Sequence, residues 1–239
     1  MQSQRLEMLV TAVDHGVLPL FYTPEADRAI RITAALREGG ARVIEFTDRG
    51  PGAWATFTTL AVEAARHDPQ LILGAGSIRD AETADRFIAS GARFVAGPSF
   101  SPDVARLCNR RRVPYLPGCA TPTEIVAAEE SGVELVKVFP GDSLGPGFLK
   151  AIRGPLPDTQ VMVTGGVLAT EGSIVEWIEA GAACLGFGSA LVTKALTDST
   201  SDADPAELTP VVARLIALVA AARSDRTQHP GPPGRSTQS

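Results

Sequence analysis

One pattern repeats from residue 16 to residue 188: a short apolar strand followed by an amphipathic helix, at intervals of roughly 20 to 25 residues. Eight strands are predicted, over residues 17–22, 42–47, 71–76, 93–98, 114–119, 135–140, 161–166 and 183–188. Eight strands alternating with helices favour a closed barrel, because an open doubly wound sheet needs fewer strands per domain. The sequence therefore predicts one α/β domain, a (β/α)8 TIM barrel, over residues 1–223.

Helix signals separate these strands. The clearest is Thr121-Pro122-Thr123-Glu124, which offers an N-cap, a proline at the first helical position and a glutamate at the third. Helices of the outer ring are predicted over residues 24–38, 80–90, 121–131 and 170–180, with glycine marking several helix ends. An N-terminal helix over residues 2–15 is expected to cover one end of the barrel.

The C-terminal part of the chain changes in composition. A last helix is predicted over residues 210–221, after an exposed loop over residues 197–207 that is rich in Thr, Ser and Asp. From residue 224 the chain has no apolar residues to bury, so residues 224–239 are expected to be a disordered tail.

The charge balance excludes several classes of partner. The net charge is −5 and the pI about 5.3, so the composition indicates no basic surface that would bind nucleic acid or anionic lipid. The basic cluster at residues 110–112 falls at a predicted helix end, where cations are favoured. No run of 18 apolar residues and no signal-peptide core is evident, so a cytoplasmic protein is expected.

The cysteines and histidines do not predict a metal centre. Cys108, Cys119 and Cys184 are widely spaced and include no C-x-x-C pair, which favours ordinary buried thiols. The three histidines are equally scattered. No metal site and no cofactor are therefore predicted.

Lys137 lies inside the predicted apolar strand Leu-Val-Lys-Val-Phe-Pro, where a charged side chain is unusual. Period-2 alternation places Leu135, Lys137 and Phe139 on one face and Val136 and Val138 on the other. Burial disfavours the ammonium, and a neutral amine is a nucleophile toward a carbonyl carbon. The alternative is a lysine whose stem packs in the core while its ammonium reaches solvent. Only three lysines accompany nineteen arginines, which favours a specific role for this one.

Polar residues gather at the predicted carboxyl ends of the strands, where barrel enzymes carry their active sites. Glu45, between Ile44 and Phe46, can face Lys137 across the barrel and serve in proton transfer; the alternative is a structural ion pair. Arg49 is a natural bidentate partner for a substrate carboxylate. The alternative to this role is a surface salt bridge with Asp48.

Two glycine segments, Gly165-Gly166 and Gly188-Ser189, follow the seventh and eighth predicted strands. This is the usual phosphate position in barrels, where backbone N–H groups approach an anion, and Thr164 and Ser189 add hydroxyls. Glycine also serves plain tight turns, so each dipeptide alone is a weak signal.

Five ordered motifs together resemble the 2-keto-3-deoxy-6-phosphogluconate (KDPG) and 4-hydroxy-2-oxoglutarate (KHG) aldolase family. They are Ile-Glu-Phe-Thr-x-Arg, Gly-Ala-Gly-Ser, Pro-Gly-x-Ala-Thr-Pro-x-Glu, Val-Lys-Val-Phe-Pro and Thr-Gly-Gly-Val. The resemblance runs from about residue 17 to residue 192 and implies a homotrimeric class I aldolase acting on a 2-oxo acid, without a metal.

The resemblance also implies roles for individual residues. Lys137 matches the Schiff-base lysine and Glu45 the general acid/base. Arg49, Ser77, Pro117 and Thr164 match substrate-binding positions, with Ser77 standing where the family usually has threonine. The implied phosphate-binding residues are Gly165, Gly166, Gly188 and Ser189.

The chain departs from the family pattern beside these motifs. Asp48 replaces an apolar residue, Gly50 replaces threonine, Gly141-Asp142 stand where Ala-Glu is common, and Ala190 stands where tryptophan often follows the serine. Added acidic groups at the site mouth would disfavour a phosphorylated substrate.

Two other functions fit the same fold, since a barrel does not determine its chemistry. One is a metal-dependent aldolase or phosphosugar isomerase. The other is a non-catalytic barrel that binds a keto acid or a sugar phosphate.

Overall fold

The computed structural model describes residues 4–198 and 200–228. Its strands are β1 Val17–Phe21, β2 Val43–Thr47, β3 Ile72–Gly76, β4 Val95–Ala96, β5 Tyr115–Leu116, β6 Gly118–Cys119, β7 Val136–Val138, β8 Val161–Thr164 and β9 Cys184–Phe187. Its helices are α1 Gln4–His15, α2 Ala26–Glu38, α3 Ala53–His67, α4 Ala81–Ala89, α5 Pro102–Arg111, α6 Pro122–Glu130, α7 Gly141–Ile152, α8 Glu171–Glu179, α9 Lys194–Thr197 and α10 Leu208–Gln228. A 3₁₀ turn, Pro205–Glu207, precedes α10.

All strand pairs in this part of the chain are parallel, in the order β5-β4-β3-β2-β1-β9-β8-β7-β6. The two outermost strands of that order are consecutive pieces of the fifth predicted strand, separated at Pro117, which has no N–H to donate. The Gly97 carbonyl accepts from the Gly118 amide, and the Pro117 carbonyl accepts from the Lys137 amide at 3.0 Å. These bonds join the two halves, so the predicted (β/α)8 barrel is confirmed, with its fifth strand interrupted.

The barrel interior is filled at its N-terminal end by large apolar side chains. The interior cluster consists of Met8, Ala12, Leu18, Val43, Ile72, Phe94, Ala96, Leu116, Leu135, Met162 and Cys184. Met8 and Ala12 belong to α1, which therefore covers this end as the sequence predicts. The alternate residues Val136 and Val138 face the outer core between strands and helices, which confirms the predicted alternation around Lys137.

Strand and helix positions follow the prediction closely, but the strands are shorter. β4 and β7 retain only inner residues of the predicted runs, with residues lost at both ends. The cluster Arg110 to Arg112 lies at the end of α5, as expected, and Arg111 pairs with Asp85 on α4.

The C-terminal region differs from the prediction. Loop 197–207 is not simply exposed, since Pro205 is buried and the buried guanidinium of Arg28 donates to the Ala203 carbonyl. The same guanidinium donates to the carbonyls of Ala195 and Leu196, just before the loop. Helix α10 continues to Gln228, so residues 224–228 are helical rather than part of a disordered tail. Residues 229–239 lie outside the described part of the chain.

One segment within the described residues, Pro205–Arg226, is long and apolar enough to cross a membrane by length and composition alone. Its residues Leu208, Val212, Leu215 and Val219 are buried, and α10 packs against α2 and α8. We therefore interpret it as the last helix of the outer ring.

The predicted start of α6 forms a full capping arrangement. The Thr121 hydroxyl accepts from the Glu124 amide, and the Glu124 carboxylate accepts from the Thr121 hydroxyl and, at 2.9 Å, from the Ala120 amide. The Ala120 hydrogen bond lowers the pKa of Glu124 below its usual range.

The charge of Glu124 is therefore predicted to stabilise the fold. Because its pKa is lower in the folded than in the unfolded chain, this stabilisation is present above the unfolded pKa and is lost as the pH falls through the folded value. We expect Glu124→Gln to lower the melting temperature at neutral pH and to match wild type in acid. Thermal unfolding across pH measures this. Glu130→Gln, at the other end of α6, is the matched control and should show no such pH-dependent difference.

Candidate active site

Barrel closure brings Lys137 and Glu45 together at the carboxyl-terminal half of the interior. Lys137 Nζ lies 3.9 Å from Glu45 Oε1, and the two residues are only 4% and 1% exposed. The predicted juxtaposition across the barrel is therefore correct. Lys137 does not extend to solvent as a snorkelling lysine would, and its ammonium position lies 5.3 Å from the centre of the Phe139 ring.

Several polar atoms at this site lack hydrogen-bond partners. Within the described residues, both carboxylate oxygens of Glu45 and the Thr164 hydroxyl are buried without a partner. Buried polar atoms are nearly always hydrogen-bonded, so these groups suit a polar ligand that completes their hydrogen bonds. The 3.9 Å separation from Lys137 is too long for a direct hydrogen bond and leaves Glu45 available for proton transfer.

Two glycines make room for these side chains. A Cβ atom at Gly76 would lie 1.8 Å from Glu45 Oε1, and one at Gly186 would lie 2.5 Å from the Thr164 hydroxyl oxygen. Both glycines fall within the predicted strands 71–76 and 183–188, but their role in making room for side chains was not predicted. The signal was available, because period-2 alternation points both positions into the barrel.

The predicted carboxylate-binding residues lie at the mouth. Arg49 is exposed, and its Nε donates to the Ser77 hydroxyl at 3.2 Å. Among the described residues Arg49 forms no ion pair with Asp48, so the surface salt bridge proposed as an alternative is not present. Ser77 adopts a left-handed backbone conformation with φ 63°. Pro117, on the neighbouring wall, is joined to Lys137 through its carbonyl.

The predicted phosphate turns follow two paired strands. Thr164 of β8 is in register with Gly186 of β9, which brings Gly165-Gly166 beside Gly188-Ser189. Gly165 and Gly166 both have positive φ, 86° and 73°, as a tight turn of this kind requires. The Gly188 carbonyl accepts from the amides of Leu191 and Val192, which closes the second turn.

Two of the unusual acidic residues flank the site. A Cβ atom at Gly166 would lie 2.4 Å from the Cβ of Asp142, so Asp142 packs directly against the first glycine turn. Asp48 is half-buried beside the start of α3, and burial raises its pKa despite the opposing charges of Arg79 and Arg86. Both carboxyl groups are therefore close to the strand ends that carry the polar residues.

The three cysteines are free, buried thiols. Burial raises the pKa of the Cys119 thiol to about 12, and the same holds for Cys108 and Cys184. Thiols with such values remain protonated and unreactive near neutral pH. The described residues include no group of three His, Cys, Asp or Glu side chains placed to hold a metal ion.

Comparison with known proteins agrees with this site. Residues 11–207 match the family described as KDPG and KHG aldolase. The chain is 31% identical over 181 residues to 2-dehydro-3-deoxy-6-phosphogalactonate aldolase of Escherichia coli, covering 75% of this chain and 82% of that protein. It is 34% identical over 152 residues to 2-dehydro-3-deoxy-phosphogluconate aldolase of Treponema pallidum, covering 63% and 70%.

A solved structure extends the similarity to three dimensions. KDPG aldolase from Legionella pneumophila, with pyruvate captured as a covalent carbinolamine intermediate, superposes with a TM-score of 0.76 and 25% identity, covering 90% of this chain and 98% of that one. The barrel and these matches define an aldehyde-lyase. The chain belongs to the KDPG and KHG aldolase family.

The space at Gly76 is predicted to be essential for activity. In Gly76→Ala the new methyl group would displace the Glu45 carboxylate from Lys137, and a misplacement of about 1 Å can cost roughly 100-fold in rate. We expect kcat/KM for aldol cleavage to fall by at least that factor. Gly172→Ala, where a Cβ meets nothing within 4 Å, is the matched control. Near-wild-type activity in Gly76→Ala, with an unchanged circular dichroism spectrum, would contradict the assignment.

Proposed function

We propose that this chain is a class I aldolase that cleaves a 4-hydroxy-2-oxo acid, such as KDPG or 4-hydroxy-2-oxoglutarate, to pyruvate and an aldehyde. The observation that carries the proposal is the buried pair of Lys137 and Glu45, with a glutamate carboxylate that has no hydrogen-bond partner among the described residues. The covalent pyruvate adduct of the Legionella relative supports it.

The first steps use Lys137. Its amine attacks the C2 ketone and forms a carbinolamine, which loses water to give a protonated imine. Arg49, Ser77, Pro117 and Thr164 surround the reacting end of the substrate in this proposal, with Arg49 and Thr164 holding its carboxylate. The iminium then serves as the electron sink.

Bond cleavage uses Glu45. Its carboxylate removes the C4 hydroxyl proton, directly or through a water molecule, and the C3–C4 bond breaks. The bonding electrons move to the iminium, the aldehyde leaves, and a pyruvate enamine remains on Lys137. Protonation of the enamine at C3 and hydrolysis of the imine release pyruvate and restore the amine. The buried position of the pair supports this step, because electrostatic interactions are stronger away from water.

Covalent trapping tests the central step. Treatment with pyruvate and borohydride should attach one reduced pyruvyl group to the peptide that contains Lys137, as detected by mass spectrometry. Lys137→Ala should lose both the adduct and the aldol cleavage, whereas Lys150→Ala, a change at an exposed lysine, should retain both. An active wild-type enzyme without an adduct on Lys137 would refute the imine mechanism.

The same variants address the two alternatives. EDTA-sensitive cleavage that persists in Lys137→Ala would favour a metal-dependent enzyme. Ligand-induced thermal stabilisation without pyruvate release, in a lactate dehydrogenase-coupled assay, would favour a binding protein. The homotrimer implied by the resemblance is also part of the proposal, as is the cytoplasmic location expected from the sequence. The mass of the native assembly tests the oligomer.

The position of Asp142 leads us to propose a preference for unphosphorylated substrates. Asp142 adds negative charge beside Gly166, where the family resemblance implies a phosphate. We expect kcat/KM for an unphosphorylated 4-hydroxy-2-oxo acid to equal or exceed that for its 6-phosphate.

The variant Asp142→Asn should shift this preference toward the phosphorylated substrate by roughly two- to tenfold, because it removes one nearby negative charge. Asp158→Asn is the control, since this exposed residue precedes β8 and lies at the opposite end of the barrel. An unchanged ratio of the two kcat/KM values in Asp142→Asn would contradict the role of Asp142.

A further inference from the structure

A second polar pocket lies at the N-terminal end of the barrel, far from the strand ends that carry Lys137. It has a volume of about 700 Å³, and its charged lining residues are Asp14, Arg153, Arg223 and Arg226. The residues Gly181 to Ala183, which precede β9, form part of its wall. Three guanidinium groups and a single carboxylate therefore surround one cavity.

Two of the arginines are fixed in place by neutral groups. Arg153 donates to the carbonyls of Pro157, Thr159 and Gly181. Arg223 donates to the carbonyls of Val13, Asp14 and Ala183. These carbonyls orient the guanidinium groups without supplying a full negative charge.

Arg226 adds a third positive charge on the last described turn of α10. It is exposed, and it forms no ion pair with a carboxylate of the described residues. Burial lowers the pKa of Arg153 and of Arg223. Repulsion from Arg226 acts in the same direction on both, while Cys184 and the Asp14 carboxylate oppose the lowering of the Arg223 pKa. Repulsion between arginines that line one cavity raises the electrostatic free energy of the folded protein, and a bound anion would offset this repulsion.

We propose that this pocket is a binding site for a small anion with two or more negative charges, such as a polyphosphate or a polycarboxylate. Planar guanidinium groups donate hydrogen bonds to phosphate and to carboxylate oxygens, so either class of anion can bind such a pocket. Gln160, also in the lining, offers a neutral donor. Such a ligand bridges the C-terminal end of α10 to the segments before β8 and β9, and so stabilises the closed barrel from the end opposite the catalytic site.

The test measures thermal stability of the full chain against the concentration of inorganic pyrophosphate and, in a second arm, of citrate, with sodium chloride matched for ionic strength. A saturable rise in melting temperature is expected for wild type, since a ligand that binds only the folded state stabilises it. The arm with the tighter apparent affinity identifies phosphate or carboxylate as the preferred source.

Arg226→Gln is the informative variant, because within the described residues Arg226 donates to no backbone carbonyl, so its substitution removes no such contact. Without anion it should be at least as stable as wild type, since repulsion is relieved. With anion, its apparent affinity should fall by about three- to tenfold, the effect of losing one charge-assisted contact. Aldol cleavage should be unchanged in this variant.

Arg214→Gln is the matched control, because Arg214 is also exposed on α10 but does not line the pocket. It should retain the wild-type response to both anions. Equal stabilisation of wild type and Arg226→Gln would overturn the proposal, and would place any bound anion elsewhere, including at the glycine turns of the catalytic end. A response no larger than that to sodium chloride would overturn it as well.

Discussion

The structure depends on the register of a closed parallel barrel, in which every second residue of each strand points inward. Toward the N-terminal end these inward positions carry large apolar side chains such as Val43 and Leu135, sealed by Met8 of α1. Two residues further along the same strands, the inward positions become Glu45 and Lys137. A slip of one residue in either strand would bury its outward residues in the interior and move the polar group into the apolar outer core.

The burial of Lys137 and Glu45, with its cost in free energy, is therefore imposed by the register of the whole barrel rather than by a local turn. An isolated buried charge is strongly destabilising, and the attraction between two opposite charges offsets only part of the cost of removing both from water. At 3.9 Å the pair is close enough to interact but not to form a hydrogen bond. The remaining hydrogen-bonding capacity of Glu45 and Thr164 is left for a ligand, which is how a stable barrel can retain reactive groups in its interior.

Much of this arrangement could be predicted from the sequence. The eight-fold alternation determined the fold class, and period-2 alternation correctly placed Lys137 and Glu45 inside. The ends of the strands were harder to predict from the sequence. The loss of pairing at β4 and the interruption at Pro117 depend on contacts with neighbouring strands. The length of α10 was also underestimated. Polar residues 224–228 have no apolar pattern of their own, and they continue a helix already held on the barrel by Leu215 and Val219.

The glycines of the barrel wall limit how this site can change. At the height of Lys137 and Glu45, the inward positions Gly74, Gly76, Gly118 and Gly186 carry no side chain at all. Substitution at these positions can only reduce the space inside, since nothing remains to be removed. Accommodation of a bulkier aldehyde must therefore come from the loops that follow the strands, where length and sequence can vary without altering the wall.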